Sequence, residues 1–400
     1  MIRTTSICAS FLYNYILSDS TIIDSEGNEL GKKAQKLRCL SDTLQNYGGV
    51  LSKISQLLLL NSKNSEVFSD CQPYSRDKTI KFFETFVEKN NQSKLIVADP
   101  NVYKSGSIGQ VHRAVYDNKN IIFKVQYVGL AKQTQTDLEM LDKIATYMYA
   151  FADMKNAMVD IKTTMYDELD YKMEASNQKL MYDLYKDSKD IEIPKLIDSL
   201  CTDKVLAMNF VDGKSLRDFI DHAKQEEKNK LGRCIVKFVF ENIYKHGILY
   251  SDAHYGNFLV KNDSTLCVLD FGCLHHLDKE LHKNMCNLHR SIRNGDKKAF
   301  YKTVKDLGII QSNISDKSKQ YIYDYFCIQY EPWTSEEFEF TEEWLTKTTN
   351  KDTELMKEWT LPQNMVYMNK IPYGCYHVLT KLKLKGRFLE MFDQILISTN

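Results

Sequence analysis

The segment Tyr250 to Gly272, YSDAHYGNFLVKNDSTLCVLDFG, constrains this 400-residue chain more than any other. Two short apolar runs, Phe258 to Val260 and Leu266 to Leu269, flank the polar turn Lys261 to Thr265. That pattern predicts a β-hairpin, which delivers Asp270 at its far end. The loop before it holds Asp252 and Asn257 five residues apart. A carboxylate, a carboxamide and a second carboxylate in this order suit phosphoryl transfer, where one group positions the acceptor and two hold metal against the phosphates. Asp270-Phe271-Gly272 fits a metal-binding DFG element, and Asp252 with Asn257 fits a catalytic loop. The expectation is Mg-ATP chemistry, with Asp252 as base or water-orienting group and Asn257 and Asp270 on the metal.

The other half of such a site is a glycine-containing hairpin over the phosphates followed by a strand lysine, and residues 104–126 supply both. Gly106, Gly109 and Val111 match the end of a G-x-G-x-x-G-x-V loop, with Lys104 where its first glycine belongs. Lys104, Ser105, Gly106, Ser107 and Gly109 are therefore candidate phosphate-side residues. The turn Asp117 to Asn120 separates Val111–Tyr116 from Ile121–Val125, and Lys124 sits among apolar neighbours on the second strand. The competing reading of Lys124 is a solubilising edge-strand lysine. A carboxylate on a helix is needed to hold this lysine, and the Gly-free and Pro-free run Thr163 to Lys186 predicts one long helix. Asp170, Glu174 and Asn177 share a face at spacings of four and three, and Glu174 is the chosen partner of Lys124. Glu168 points the other way on a regular helix, and the bland alternative is a solvated acidic face.

These blocks resemble the UbiB family of atypical kinases, also called the AarF or ADCK family. The chain has SIGQVHRA at 107–114, FKVQ at 123–126, ELDYKMEASN at 168–177 and SDAHYGN at 251–257, close to that family's signatures. The resemblance implies an α+β, bilobal protein-kinase-like fold with a helical N-terminal extension: 1–92 the extension, 93–209 the small lobe, 210–400 a helical large lobe. It also implies a K-x-G-Q-like element at Lys53 and Gln56, Ser55 replacing the glycine, lying over the active site with Lys53 against Glu168 and Asp170. Leu37, Leu40, Leu44, Tyr47, Leu51, Ile54 and Leu58 give that extension helical spacing. The strand Val205 to Asn209 becomes the nucleotide-side hinge, Asn209 standing where relatives carry an acidic residue. Coenzyme Q or other isoprenoid lipid metabolism is the implied context.

Departures from the family pattern carry their own expectations. The alanine run of the phosphate loop is replaced by Lys104, Ser105 and Gly106, and the catalytic loop lacks an arginine, which removes control by a phosphorylated activation loop. His254, two residues after Asp252, takes a position where conventional kinases carry a lysine, so activity is expected to fall as His254 loses its proton. His282, Cys286 and His289, with Cys273, His275 and His276 nearby, form a zinc alternative that lacks a C-x-x-C anchor and ranks well below the kinase reading. Tyr321, Tyr323, Tyr325 and Phe326 read as aromatics of a helical lobe.

Composition narrows the remaining classes. With 53 basic and 53 acidic residues there is no global field favouring nucleic acid, so none is expected as partner. Ten cysteines without a C-x-x-C pair read as reduced intracellular thiols, and the absence of an eighteen-residue apolar run excludes a membrane span on length. The expected partners are a nucleotide and an unidentified small-molecule or lipid acceptor, with at most peripheral membrane contact. An intracellular location, cytoplasmic or organelle-associated, is expected, since the N-terminus makes a poor targeting signal. The rival class is a pseudokinase-type, nucleotide-dependent scaffold or lipid-presenting module: the catalytic positions favour the enzyme, the altered loop and the lid favour the scaffold.

Overall fold

The computed structural model describes residues 76–90, 95–96, 101–106, 108–127, 129–147, 162, 165–311, 314–349, 358–360, 362, 367–368 and 371–397. Lys53, Gln56 and Ser107 lie outside them. In chain order the first elements are helix α1 (Arg76–Asn90), strands β1 (Leu95–Ile96), β2 (Lys104–Ser105), β3 (Gly109–Tyr116) and β4 (Lys119–Gln126), then helices α2 (Leu130–Tyr147) and α3 (Tyr171–Tyr185). Strands β5 (Ile191–Glu192), β6 (Val205–Asn209) and β7 (Lys214–Ser215) precede helices α4 (Leu216–His222) and α5 (Gln225–His246). Next come strands β8 (Ile248–Tyr250), β9 (Phe258–Val260), β10 (Leu266–Val268) and β11 (Leu274–His276), followed by helices α6 (Lys279–Arg293), α7 (Lys297–Asp306) and α8 (Asp316–Thr334). Strand β12 (Phe338–Glu339), helix α9 (Glu342–Thr349), a π-helical turn Pro372–Tyr376, helix α10 (His377–Lys381), strand β13 (Lys385–Gly386) and helix α11 (Leu389–Ile397) complete the described chain. These fall into two compact units, residues 1–176 with 195–210, and residues 177–194 with 211–400.

The first unit is built on a sheet ordered β1-β3-β4-β6, with β2 also pairing on β3. Its central hairpin turns through Asp117 and Asn118, both at positive φ (50° and 61°). This is the turn that matches strand twist, and a small polar Asp-Asn pair tolerates it. Alternation along β4 buries Ile121, Phe123 and Val125 against Phe83 and Phe86 of α1, with Phe123 edge-on to both rings at 5.3 and 5.7 Å. The same two-residue period turns Ile122 and Lys124 to the opposite face, and this is how the strand delivers its lysine. Gly109 is required by close approach, because a Cβ there would stand 2.5 Å from the Val125 carbonyl oxygen and 3.0 Å from the Tyr171 hydroxyl. Gly109→Ala is expected to destabilise this unit by about 2 kcal/mol, read as a lower denaturant midpoint.

The second unit packs around α5, which buries Leu231, Ile235, Val236, Phe238, Val239 and Ile243. Its start is capped by the Lys224 backbone N–H donating to the Glu227 carboxylate, and its end by Gly247 at φ 64°. A sheet ordered β5-β10-β9-β7 carries the predicted hairpin, while β8 pairs with β11. Ser215 caps α4 by accepting from the Asp218 N–H. Trp333 lies in an aromatic core, stacked 4.4 Å from Phe392 of α11 and 4.6 Å from Phe240 of α5. Two sequence expectations need correction. The region after Phe271 is not wholly helical, since β11, β12 and β13 are present; two- and three-residue strands are too short to show a period. The run 163–186 is not one helix, because Asp170 interrupts it. The Asp170 carboxylate accepts from the N–H groups of Lys172 and Met173, an N-cap arrangement that starts α3 afresh.

Candidate active site

The first unit presents an ion pair between Lys124 and Glu174, with Nζ 2.7 Å from Oε1 and side chains 18% and 2% exposed. Strand alternation aims the lysine and the Asp170 cap sets the helix phase that places Glu174 in the first turn of α3. A carboxylate this deeply buried is stable only with a charged partner. The Lys124 ammonium also lies 5.2 Å from the centre of the Tyr171 ring. Gln126, which the sequence reading passed over, donates to the Leu169 carbonyl at 2.6 Å and fastens the approach to α3 onto the same strand. Glu168 is half-buried and Asp170 exposed. The capping geometry gives Asp170 a structural task distinct from the lid contact expected of it.

The phosphate-side loop is stitched by another residue that sequence reasoning missed. Tyr127 donates its hydroxyl to the Gly106 carbonyl at 3.2 Å and pairs with the Ser105 hydroxyl at 2.8 Å, while the Gly106 N–H donates to the Gly109 carbonyl at 2.8 Å. Lys104 is exposed on β2, paired with Val111. Asn209 ends β6 opposite Ile121 and donates its N–H to the Lys195 carbonyl. Beyond it, the Arg113 guanidinium sits between the rings of Tyr103 and Phe210, 4.1 and 4.6 Å from their centres.

The second unit gathers Asp252, His254, Asn257 and Asp270. The Asn257 carboxamide donates to the Asp252 carbonyl at 2.9 Å and to its carboxylate at 3.1 Å. The Leu269 N–H donates to the Asn257 carbonyl, which brings the end of the hairpin beside that loop, and Asp270 accepts from the Gly272 N–H at 3.0 Å. Asn177 of α3 donates to the Phe271 carbonyl at 3.0 Å, and Ser251 donates through both N–H and hydroxyl to the Cys273 carbonyl. Burial first, then the charges of Asp252 and Asp270, push the Tyr250 phenol well above its ordinary range. Only six residues, 273–278, separate Gly272 from α6.

His254 accepts at Nδ1 from the Gly256 N–H at 3.0 Å, which requires that nitrogen to be unprotonated. Its Nε2 lies 3.4 Å from the Asp252 carboxylate. Gly256 has a steric reason, since a Cβ would lie 2.8 Å from His254 Cε1. His254 thus sits between the Gly256 N–H and the Asp252 carboxylate.

The zinc alternative has no support. Among the described residues no group of three or more His, Cys, Asp or Glu side chains is placed to hold a metal ion. His282 bonds the Tyr244 carbonyl at 2.7 Å, Cys286 lies 3.9 Å from His282, and His289 is fully buried among Tyr244, Tyr330 and Phe392. Also among the described residues, no helix is long and apolar enough to cross a membrane.

Residues 66–304, well over half the chain, match the model of the ABC1 atypical kinase-like domain. The chain belongs to this family. It is 26% identical over 350 residues to the "Probable serine/threonine-protein kinase abkB" of Dictyostelium discoideum, covering 78% of this chain and 52% of that one. It is also 25% identical over 310 residues to "Atypical kinase coq-8, mitochondrial" of Caenorhabditis elegans, covering 74% and 41%. The chain thus spans about half the length of the curated relatives it matches. The structure of Rv3197 with erythromycin from Mycobacterium tuberculosis superposes with a TM-score of 0.65 at 19% identity, covering 89% of this chain and 94% of that one. The ABC1 domain here therefore has the α+β protein-kinase-like fold. Within it the family match takes in Lys124, Glu174, Asp252, Asn257 and Asp270, while α8 to α11 lie beyond its end at residue 304.

Proposed function

We propose that this chain is an atypical kinase or ATPase that binds Mg-ATP and either hydrolyses it or phosphorylates a small-molecule or lipid-linked acceptor. The observation that carries the reading is the Lys124–Glu174 ion pair at 2.7 Å, a strand lysine held by a buried helix carboxylate. Such a pair fixes an ammonium for phosphate oxygens. Lys124 binds the phosphates beneath the loop that Tyr127 and Gly109 shape. Asp270 and Asn257 offer a carboxylate and a carboxamide oxygen, hard donors of the kind Mg²⁺ takes, and Asn257 is oriented by turning its nitrogen to Asp252. When bound, the metal supplies neutralisation of charge on the phosphates. Asp252, steadied by Asn257 and by the Nε2 side of His254, orients the acceptor hydroxyl or water and takes its proton. The relatives' names, atypical kinase coq-8 of mitochondria among them, favour coenzyme Q or related isoprenoid lipid metabolism and an organelle-associated setting.

The deciding measurement is thermal stability with ATP and Mg²⁺ for the wild type beside Asp270→Asn and Lys124→Ala. A ligand bound to the native state at a hundredfold excess over its Kd stabilises by roughly 2.7 kcal/mol, and that gain is expected to vanish in both variants. Phosphate release is expected to disappear in Asp252→Asn while Mg-ATP stabilisation stays. A nucleotide response with neither phosphate release nor transfer of the γ-phosphate to an isoprenoid-lipid or small-molecule acceptor identifies the scaffold instead, and no response in the folded wild type overturns nucleotide binding.

A further inference from the structure

The catalytic loop is supported by a part of the chain that lies outside the family match. Gly374, in the π-helical turn Pro372–Tyr376, approaches the backbone of Ala253, the residue between Asp252 and His254. A Cβ on Gly374 would stand 3.1 Å from the Ala253 carbonyl oxygen, 3.5 Å from its carbonyl carbon and 3.6 Å from its nitrogen. Ala253 is 2% exposed, so the loop has no room to retreat. Three residues on, His377 meets the Tyr255 ring edge-on at 5.9 Å. Upstream, Tyr367 stacks on His275 with ring centres 3.6 Å apart and planes 20° from parallel. His275 belongs to β11, directly after the DFG element and opposite Leu249 on the strand that leads into the catalytic loop. The segment is itself anchored: the Tyr376 hydroxyl accepts from the Trp333 indole N–H at 3.4 Å and donates to the Gln329 carbonyl at 3.2 Å, both on α8.

We propose that Tyr367 and residues 371–377 form a brace that holds the catalytic loop and the strand after DFG in working register, with Gly374 and Tyr367 as positioning residues. Only six residues join the DFG element to α6, too short a stretch to fold back over the catalytic loop as a long activation segment would, and the brace supplies that support from the C-terminal side. π-Helical turns concentrate at functional sites, and here the wide turn brings a glycine backbone against a loop backbone. A side chain at 374 displaces Ala253 and with it the two residues that flank it.

The catalytic part of this inference rests on the phosphoryl-transfer reading, so its test has one arm that does not. Amide hydrogen exchange in the full chain reports the N–H groups of His254, Gly256 and Asn257, which bond Asp252 O, His254 Nδ1 and His254 O. In Tyr367→Ala and Gly374→Val these protections are expected to fall by about tenfold or more while α5 is unchanged, with Tyr367→Phe restoring them. In the activity arm kcat is expected to drop about tenfold to a hundredfold, as for a misplacement near 1 Å. Unchanged exchange in both variants overturns the brace, as does equal loosening of α5. Loosening confined to residues 251–257 in a protein without ATP turnover upholds the brace and overturns the enzyme reading.

Discussion

Glu174→Ala is expected to cost the protein about 3 kcal/mol of stability and its response to Mg-ATP together, because it strands a largely buried ammonium. Lys124 is 18% exposed and Glu174 2%, so neither charge recovers much hydration when the other is removed. A double replacement, Lys124→Met with Glu174→Leu, separates the two consequences. Two apolar side chains of similar volume are expected to restore most of the stability and none of the nucleotide response. Urea midpoints and ligand-induced thermal shifts on the wild type and these two variants check this. A single variant that keeps Mg-ATP stabilisation would remove the pair from the proposed site.

The second large effect is a pH dependence centred on His289. The ring is fully buried among Tyr244, Tyr330 and Phe392, and neither nitrogen has a hydrogen-bond partner. Burial, and then the charges of Arg293 and Arg290, lower its pKa from 6.5 to about 3. Both states are neutral above pH 6.5, so the folded protein loses nothing there. Below it the unfolded chain takes up a proton that the folded one refuses, and stability drains away between pH 6.5 and pH 3. The lowering corresponds to about 4 to 5 kcal/mol over that window. His289→Phe, which keeps a ring in the aromatic cage, is expected to flatten the acid limb of a plot of unfolding free energy against pH. A slope equal to that of the wild type would place the titration elsewhere.

Much of this was legible in sequence where local chemistry and a short period coincide. The Asp117-Asn118 turn, the alternation that turns Lys124 away from Phe123, and the hairpin that ends at Asp270 all follow from neighbours within a few residues. The three-residue spacing of Glu174 and Asn177 put both on the buried side of α3, whereas Asp170, four residues before Glu174, is exposed and caps the helix instead. What could not be read was set by tertiary contact. Gln126 and Tyr127 gain their tasks only when Leu169 and Gly106 come near. The contact that orients His254 comes from one backbone N–H, and the brace of Tyr367 and residues 371–377 has neither a period nor a motif of its own.

The stacking of Phe392 on Trp333 also has a temporal consequence. The ribosome emits Phe240 and the rest of α5 long before Phe392, and at 5–20 residues per second the intervening stretch of about 150 residues takes roughly eight to thirty seconds. Throughout that interval the aromatic face of α5 awaits its last ring. The nascent chain therefore presents a hydrophobic flank during synthesis, which makes the closing of this core a late event.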